Sequence, residues 1–176
     1  MLQQTQVSRV MEYYERFVTR FPTLQLLAAA PPRRVMESWE GLGYYARARN
    51  LHRLARQVAG AARELPAEPE ELRALPGIGA YTAGAVASFA FERRAALVDT
   101  NVARVLRRVF APRLTRGTAR AERAVWAIAE AVLPRTGPTA WWHNQALIEL
   151  GALVCTARVM RCEKCPVRAL CLTYKR

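Results

Sequence analysis

The sequence predicts an all-α fold, and three features of the chain support that prediction. Apolar residues recur at intervals of three and four, as they do along one face of a helix. Sustained alternation of apolar and polar residues, which half-buried strands would show, is absent. Clusters of Pro and Gly divide the chain into about ten short segments. A chain of 176 residues can bury an ordinary hydrophobic core without disulfide support.

Four predicted helices stand out in chain order, and each carries a run of apolar residues at helical spacing. Breaks at Pro31-Pro32, Gly41 to Gly43, Pro76 to Gly79 and Gly137-Pro138 separate the segments. The apolar positions are Val10, Tyr14, Phe17, Val18 and Phe21; Leu51, Leu54, Ala55 and Val58; Val102, Val105, Leu106 and Val109; and Val125, Ile128, Ala129 and Val132.

The charge of the chain predicts a polyanionic partner. The formal net charge is +13, and Lys164 and Lys175 are the only lysines among 27 basic residues. Arginine forks match phosphate oxygens, so nucleic acid is the favoured partner, and a solvated charged surface is the alternative. The sequence has no apolar run long enough to span a membrane and no secretory signal. We therefore expect an intracellular protein, which is cytoplasmic and, in a bacterium, associated with the nucleoid. We also expect a monomer.

All four cysteines lie near the end of the chain, with spacings of six, two and five residues between them. A chain of this length needs no disulfide framework, so metal binding is the favoured interpretation. The spacing is not that of a standard zinc finger, and four thiolates can hold either an iron–sulfur cluster or a structural zinc ion. The predicted ligands are Cys155, Cys162, Cys165 and Cys171.

Two further segments carry candidate chemistry. Gly77 and Gly79 flank Ile78 between a short amphipathic segment and an apolar helix, and such a turn either cradles a phosphate or simply connects two helices. Asp99 is the only aspartate and directly precedes an amphipathic helix. Its carboxylate either caps that helix or stabilises a cationic sugar, as in glycoside hydrolysis.

Taken together, these segments resemble the helix-hairpin-helix DNA glycosylases, a superfamily that includes endonuclease III and the adenine DNA glycosylases. The resemblance covers essentially the whole chain. It implies a two-lobed fold with a C-terminal loop in which the four cysteines hold a 4Fe-4S cluster. The expected lobes are residues 1–20 with 113–176, and residues 21–112. The target base would be flipped out of the duplex into the cleft between the lobes.

The resemblance also implies roles for individual residues. Asp99 matches the essential aspartate, and Asn101 matches the asparagine that orients the site. Tyr81 stands where endonuclease III has its Schiff-base lysine, which implies a glycosylase without efficient lyase activity. The hairpin residues Gly77, Gly79 and Ala80 would bind the DNA backbone.

The adenine-specific branch matches best, through Met1 to Val7 and Gly41 to Leu51. In that branch Gln4 and Tyr44 would wedge into double-stranded DNA that carries adenine opposite 8-oxoguanine or guanine. The resemblance places the general acid, a glutamate, upstream of Met1, so we expect a truncated chain that excises slowly. Thr100, where adenine glycosylases usually have Gly, keeps a thymine or uracil mismatch glycosylase as an alternative. A second alternative is a non-catalytic DNA-binding module that carries an iron–sulfur cluster.

Overall fold

The computed structural model describes residues 1–2, 4–61, 64–115 and 117–175. Within these ranges the protein is helical and contains no β-strand, which confirms the all-α prediction. The helices are α1 (Val7–Arg20), α2 (Leu24–Ala29), α3 (Pro32–Glu37), α4 (Ala46–Gly60), α5 (Pro69–Arg73), α6 (Ala80–Phe91), α7 (Thr100–Phe110), α8 (Ala119–Val132) and α9 (Gly137–Glu149). A π-helix (Leu150–Val154) and two 3-10 turns (Cys162–Lys164 and Arg168–Leu170) follow α9.

The chain forms two compact units, Met1–Pro66 with Ala74–Ile78, and Ala67–Arg73 with Gly79–Arg176. The two lobes predicted from the sequence, residues 1–20 with 113–176 and residues 21–112, stay a prediction, as does the cleft between them. No helix in the described ranges is both long and apolar enough to cross a membrane.

The first unit is built around Trp39, which is almost fully buried and packs edge-on against Phe17 of α1 at 5.9 Å between ring centroids. Burial of a large apolar side chain contributes about 1.5–3 kcal/mol, so this pair makes a substantial contribution to the core of the unit. Val10 and Phe17 are the buried residues of α1, whereas Tyr14 and Val18 of the same apolar set are exposed.

The second unit is built around α7, whose four predicted apolar positions, Val102, Val105, Leu106 and Val109, are all buried. Thr118 caps α8 and Thr136 caps α9, each through a hydroxyl that accepts a hydrogen bond from a backbone N–H three residues later. These caps fix where both helices begin, and they satisfy N–H groups that the helix itself leaves free.

A close backbone contact joins α6 to the segment that leads into α7. A Cβ atom at Gly84 would meet the carbonyl oxygen of Ala96, so only glycine fits there. Beside this contact, the buried Asn144 side chain of α9 donates to Ser88 Oγ and to the Ala95 carbonyl, both at 2.9 Å. The start of α7 is therefore held against α6 and α9 by backbone contact and buried hydrogen bonds.

Candidate active-site cavity and cysteine loop

Asp99 lies at the N-cap of α7, and both of its carboxylate oxygens accept hydrogen bonds. Oδ1 accepts from the Val102 backbone N–H at 2.7 Å, and Oδ2 accepts from the Asn101 side-chain amide at 3.1 Å. The carboxylate thus lies beside the positive end of the α7 dipole. Helix capping and a charged site carboxylate are therefore compatible in the same residue.

Asp99 lines a cavity of about 680 Å³ that lies wholly within the second unit. Its size is within the range of ligand pockets in proteins. Tyr81 of α6 lines the same cavity, and so do residues of α7 and α8 that the sequence did not single out. The polar and aromatic members of that set are Arg104, Arg107, Glu122 and Trp126.

Tyr81 lies in the first turn of α6, on the same cavity as Asp99. Burial raises the pKa of its phenol above the ordinary value of 10.0, and the negative charge of Asp99 raises it further. The phenol therefore stays protonated at neutral pH. A neutral hydroxyl can donate a hydrogen bond but cannot act as an amine nucleophile.

Asn101 connects Asp99 to the polar contacts around Arg104. Arg104 donates through Nη2 to the Asn101 side-chain oxygen at 2.8 Å and to the Gly151 carbonyl at 2.7 Å. Its Nε donates to the Cys155 carbonyl at 2.8 Å. Gly151 belongs to the π-helix, and a Cβ there would lie 2.8 Å from Asn101 Cβ. The absence of a side chain at Gly151 therefore allows this close contact.

Arg108, one turn further along α7, contacts the cysteine loop directly. Its Nη1 donates to the Thr156 carbonyl at 2.7 Å and approaches Cys155 Sγ at 3.2 Å. The Arg108 carbonyl in turn accepts from Thr173 Oγ1 at 2.7 Å. Arg104 and Arg108 were not predicted as site residues. The three- and four-residue spacing of Asn101, Arg104 and Arg108 along one predicted helix is the signal that places them on one face.

The four cysteines, Cys155, Cys162, Cys165 and Cys171, line a single cavity of about 190 Å³. That volume is several times the roughly 30 Å³ share of one water molecule in the liquid, which leaves room for a polynuclear group. Burial raises the pKa of the Cys162 thiol, and the other three cysteines and Glu163 raise it further. In the described part of the chain, no three or more His, Cys, Asp or Glu side chains are grouped as ligands of a metal ion.

The two glycines of the hairpin, Gly77 and Gly79, differ in backbone conformation and in the space around them. Gly77 has a left-handed backbone, with φ of +78°, and a Cβ there would lie 2.6 Å from Asn50 Cβ. Gly79 is the N-cap of α6 with φ of −88°, and a Cβ there would have no neighbour within 4 Å. Gly77 is therefore required by the turn itself, whereas Gly79, just before the predicted contact residue Ala80, has open space around it.

Gln4 and Tyr44 lie in the first unit, and both are exposed. Each has a left-handed backbone, with φ of 59° for Gln4 and 48° for Tyr44, which is uncommon for residues other than glycine. Gln3, in the same predicted DNA-binding segment as Gln4, lies outside the described residues. The structure thus brings Tyr81, Asp99 and Asn101 together in one unit and places Gln4 and Tyr44 in the other.

Comparison with curated proteins finds several adenine DNA glycosylases. The chain is 43% identical to that of Mus musculus over 178 residues, which is 100% of this chain and 34% of the mouse protein. It is 44% identical to that of Mycolicibacterium smegmatis over 175 residues, covering 95% of this chain and 56% of the relative. The chain therefore spans between a third and about half of the length of these relatives.

Two solved structures share the fold. A thermostable thymine-DNA glycosylase has a TM-score of 0.85 at 29% identity, over 99% of this chain and 80% of the other. An endonuclease III trapped as a covalent intermediate with DNA has a TM-score of 0.79 at 27% identity, with the same coverage. The model of the "HhH-GPD superfamily base excision DNA repair protein" family matches residues 1–131, most of the chain. The chain therefore belongs to the HhH-GPD superfamily of base excision DNA repair proteins.

Proposed function

We propose that the protein is a base-excision DNA glycosylase that hydrolyses the N-glycosidic bond of adenine mispaired with 8-oxoguanine or guanine. The observation that carries this proposal is the Asp99 carboxylate, which lies on a ligand-sized cavity at the positive end of α7 with Tyr81 beside it. The relatives named adenine DNA glycosylase support the choice of base.

The proposed reaction consumes one water molecule. The bond between the sugar C1′ and the base nitrogen breaks, and its electron pair leaves with the base, which takes up a proton. Asp99 stabilises the resulting cationic sugar, and water then adds to C1′ and loses a proton. Asn101 holds the Asp99 carboxylate in place through a hydrogen bond. Tyr81 has no amine to form a Schiff base with the sugar, so the reaction ends with hydrolysis and β-elimination does not follow.

Glu122 is a second carboxyl group on the same cavity as Asp99. It lies in the first turn of α8 and is exposed to the cavity and solvent. The resemblance places the general acid upstream of Met1, and Glu122 is a second candidate for passing a proton to the leaving base or holding a water molecule that does so. We include Glu122 in the proposed site on this geometry.

The decisive test substitutes Asn for Asp99. Asn caps a helix as well as Asp does, so α7 should keep its start while the negative charge is lost. We expect base release under single-turnover conditions to fall at least about a hundredfold, with duplex affinity retained. Glu15→Gln, an exposed carboxylate on α1 of the first unit, is the matched control and should excise normally. Undiminished release by Asp99→Asn would contradict the proposal.

A thymine or uracil mismatch glycosylase is the second candidate, because the thymine-DNA glycosylase structure matches with a TM-score of 0.85. Duplexes that carry A opposite 8-oxoguanine, A opposite G, T opposite G and U opposite G separate the two candidates. Release of adenine alone supports the first. Release of a pyrimidine would reassign the substrate, and binding without any release would support a DNA-binding module.

We also propose that Cys155, Cys162, Cys165 and Cys171 hold a 4Fe-4S cluster. The four thiols share one cavity, and a cubane takes one thiolate for each iron. The bound cluster would fix the shape of the loop, and the interleaved basic residues would then meet DNA phosphates. The basic residues are Arg158, Arg161, Lys164 and Arg168.

Metal analysis of purified protein tests the cluster. We expect about four irons and four sulfides per chain with brown visible absorption, and Cys165→Ser should lose most of both. One zinc ion per chain without sulfide would contradict the cluster and support the structural zinc alternative. A monomeric state and a cytoplasmic or nucleoid location remain parts of the proposal.

A further inference from the structure

Arg47, in the first turn of α4, connects two separate segments of the first unit. Its guanidinium donates to the Met1 carbonyl at 2.7 Å and to Thr5 Oγ1 at 3.0 Å, on either side of Gln4. It also donates to the carbonyls of Leu42 and Gly43 at 3.3 and 3.2 Å, immediately before Tyr44. One side chain therefore holds the chain start and the loop 41–45 together.

The same guanidinium also lies close to two aromatic rings. It lies 5.3 Å from the centroid of the exposed Tyr44 ring and 5.4 Å from that of the buried Trp39 ring. Trp39 Nε1 also donates to the Gly43 carbonyl at 3.1 Å. Arg47 is half-buried, and its Nη1 and Nη2 groups donate to protein acceptors, which distinguishes it from an arginine that extends to a DNA phosphate.

The two residues that Arg47 brackets share an unusual backbone. Gln4 and Tyr44 both have positive φ, and apart from them only Glu92 among the described residues other than glycine does so. Such conformations persist when the surrounding structure enforces them, and they cluster at ligand-contacting sites. The acceptors of Arg47 lie within three residues of Gln4 and within two of Tyr44, so its hydrogen bonds are placed to enforce both.

We propose that Arg47 is a positioning residue for mismatch recognition, which holds Gln4 and Tyr44 in one rigid arrangement so that both side chains enter the opened duplex as a unit. This inference rests on the proposed DNA-contacting roles of Gln4 and Tyr44. This inference requires the branched guanidinium of arginine, because a lysine ammonium cannot reach four acceptors on two segments.

The test compares Arg47→Lys with Arg53→Lys, the same chemical change at an exposed position of the same helix. Affinity of the full chain is measured for a duplex with A opposite 8-oxoguanine and for the matched duplex. A 2-aminopurine beside the mismatch reports unstacking through its fluorescence at saturating protein. Arg47→Lys should lower the ratio of mismatched to matched affinity about tenfold and lose most of the fluorescence increase. Arg53→Lys should change neither.

A double-mutant cycle tests whether the two side chains act as one unit. In the wild-type background, Gln4→Ala and Tyr44→Ser should be non-additive in mismatch affinity, and the coupling should vanish in the Arg47→Lys background. A general packing role for Arg47 would lower affinity for both duplexes in proportion and leave the coupling intact. That result would overturn the inference.

The outcomes separate this inference from the proposed function. If Gln4→Ala and Tyr44→Ser keep full mismatch preference, the DNA-contacting roles of these residues fail, and the inference fails with them. If both lose the preference while Arg47→Lys keeps it, only the inference fails. Should Arg47→Lys fold poorly by thermal melting, Thr5→Val removes one acceptor with little change in shape. An unchanged mismatch ratio in Thr5→Val would then overturn the inference.

Discussion

Asp99 shows how one residue serves both the fold and the proposed chemistry. Its Oδ1 caps α7, and its Oδ2 is held by Asn101, while the residue borders the cavity. A cap normally contributes about 0.5–2 kcal/mol to stability, and here the same hydrogen bonds fix the direction of the charge. The sequence indicated both interpretations of Asp99, and the geometry accommodates them together.

The raised pKa of Tyr81 gives a testable pH response. Because the folded protein holds the phenolic proton more tightly than the unfolded chain, this contribution to stability is complete below pH 10 and is lost as pH rises through the folded pKa. Asp99→Asn removes the negative charge of Asp99, which is the smaller of the two causes of the raised pKa. The Tyr81 pKa should therefore fall but stay above its ordinary value, because the phenol remains buried. The ultraviolet phenolate band, measured as the difference from a Tyr81→Phe variant, gives this pKa. An unchanged Tyr81 pKa in Asp99→Asn would show that the two groups do not interact.

Glu122 gives a second prediction at the scale of the residue. If its carboxyl passes a proton to the leaving base, Glu122→Gln should slow base release about a hundredfold and leave duplex affinity unchanged. The control is Glu130→Gln, which changes the next carboxylate of α8. Glu130 forms an exposed ion pair with Arg94, and this variant should retain activity. Equal rates for the two variants would exclude a catalytic role for Glu122.

At the scale of the element, α7 was the most predictable helix, and α1 the least. All four apolar positions of α7 form one stripe, and all are buried. The predicted apolar residues of α1 also lie on one stripe, yet Val10 and Phe17 are buried while Tyr14 and Val18 are exposed. Helical spacing identifies a helix in both cases, but how much of the apolar stripe is buried depends on which elements pack against it.

The cavity itself could be predicted only in part. Tyr81 and Asp99 were found because they lie in recognisable motifs. Glu122 and Trp126 carry no motif and lie in α8, and only the packing of α8 against α7 brings them to the cavity. The spacing of residues along the sequence predicts which side chains share a face of one helix. It does not predict which helices pack together, and the packing of α8 against α7 completes the cavity.

The hairpin between α5 and α6 offers a matched pair of glycines. Gly77→Ala should lower the free energy of unfolding by about 1–3 kcal/mol, because the new Cβ meets Asn50 and φ is positive. Gly79→Ala should change stability by less than about 1 kcal/mol, since its Cβ enters open space. Chemical denaturation measures both changes.

Gly79 also tests the predicted contact with DNA. If the DNA backbone approaches Gly79, as we predict, Gly79→Ala should weaken duplex binding despite its intact fold. Duplex affinity at wild-type level in a stably folded Gly79→Ala protein would place the DNA backbone elsewhere.

At the scale of the whole molecule, the net charge of +13 predicts binding that depends strongly on salt. The logarithm of the duplex association constant should fall linearly with the logarithm of salt concentration. Arg158→Gln, in the exposed cysteine loop, should reduce the slope by about 0.9 if that arginine meets one phosphate. Arg33→Gln is the control, because Arg33 already pairs with Glu37 at 2.9 Å on α3. An equal slope for all three proteins would exclude a phosphate contact by Arg158.

The contact between Gly84 and the Ala96 carbonyl limits how the second unit can vary. Most core positions can exchange one side chain for another of similar volume, since neighbours repack to absorb the change. Here the backbone of Gly84 contacts the backbone of Ala96, and no side chain could change its rotamer to make room for an added methyl group. The backbone of α6, which carries Tyr81, is thereby held at a set distance from the segment that leads to Asp99, and any substitution at Gly84 would have to push these two stretches of main chain apart.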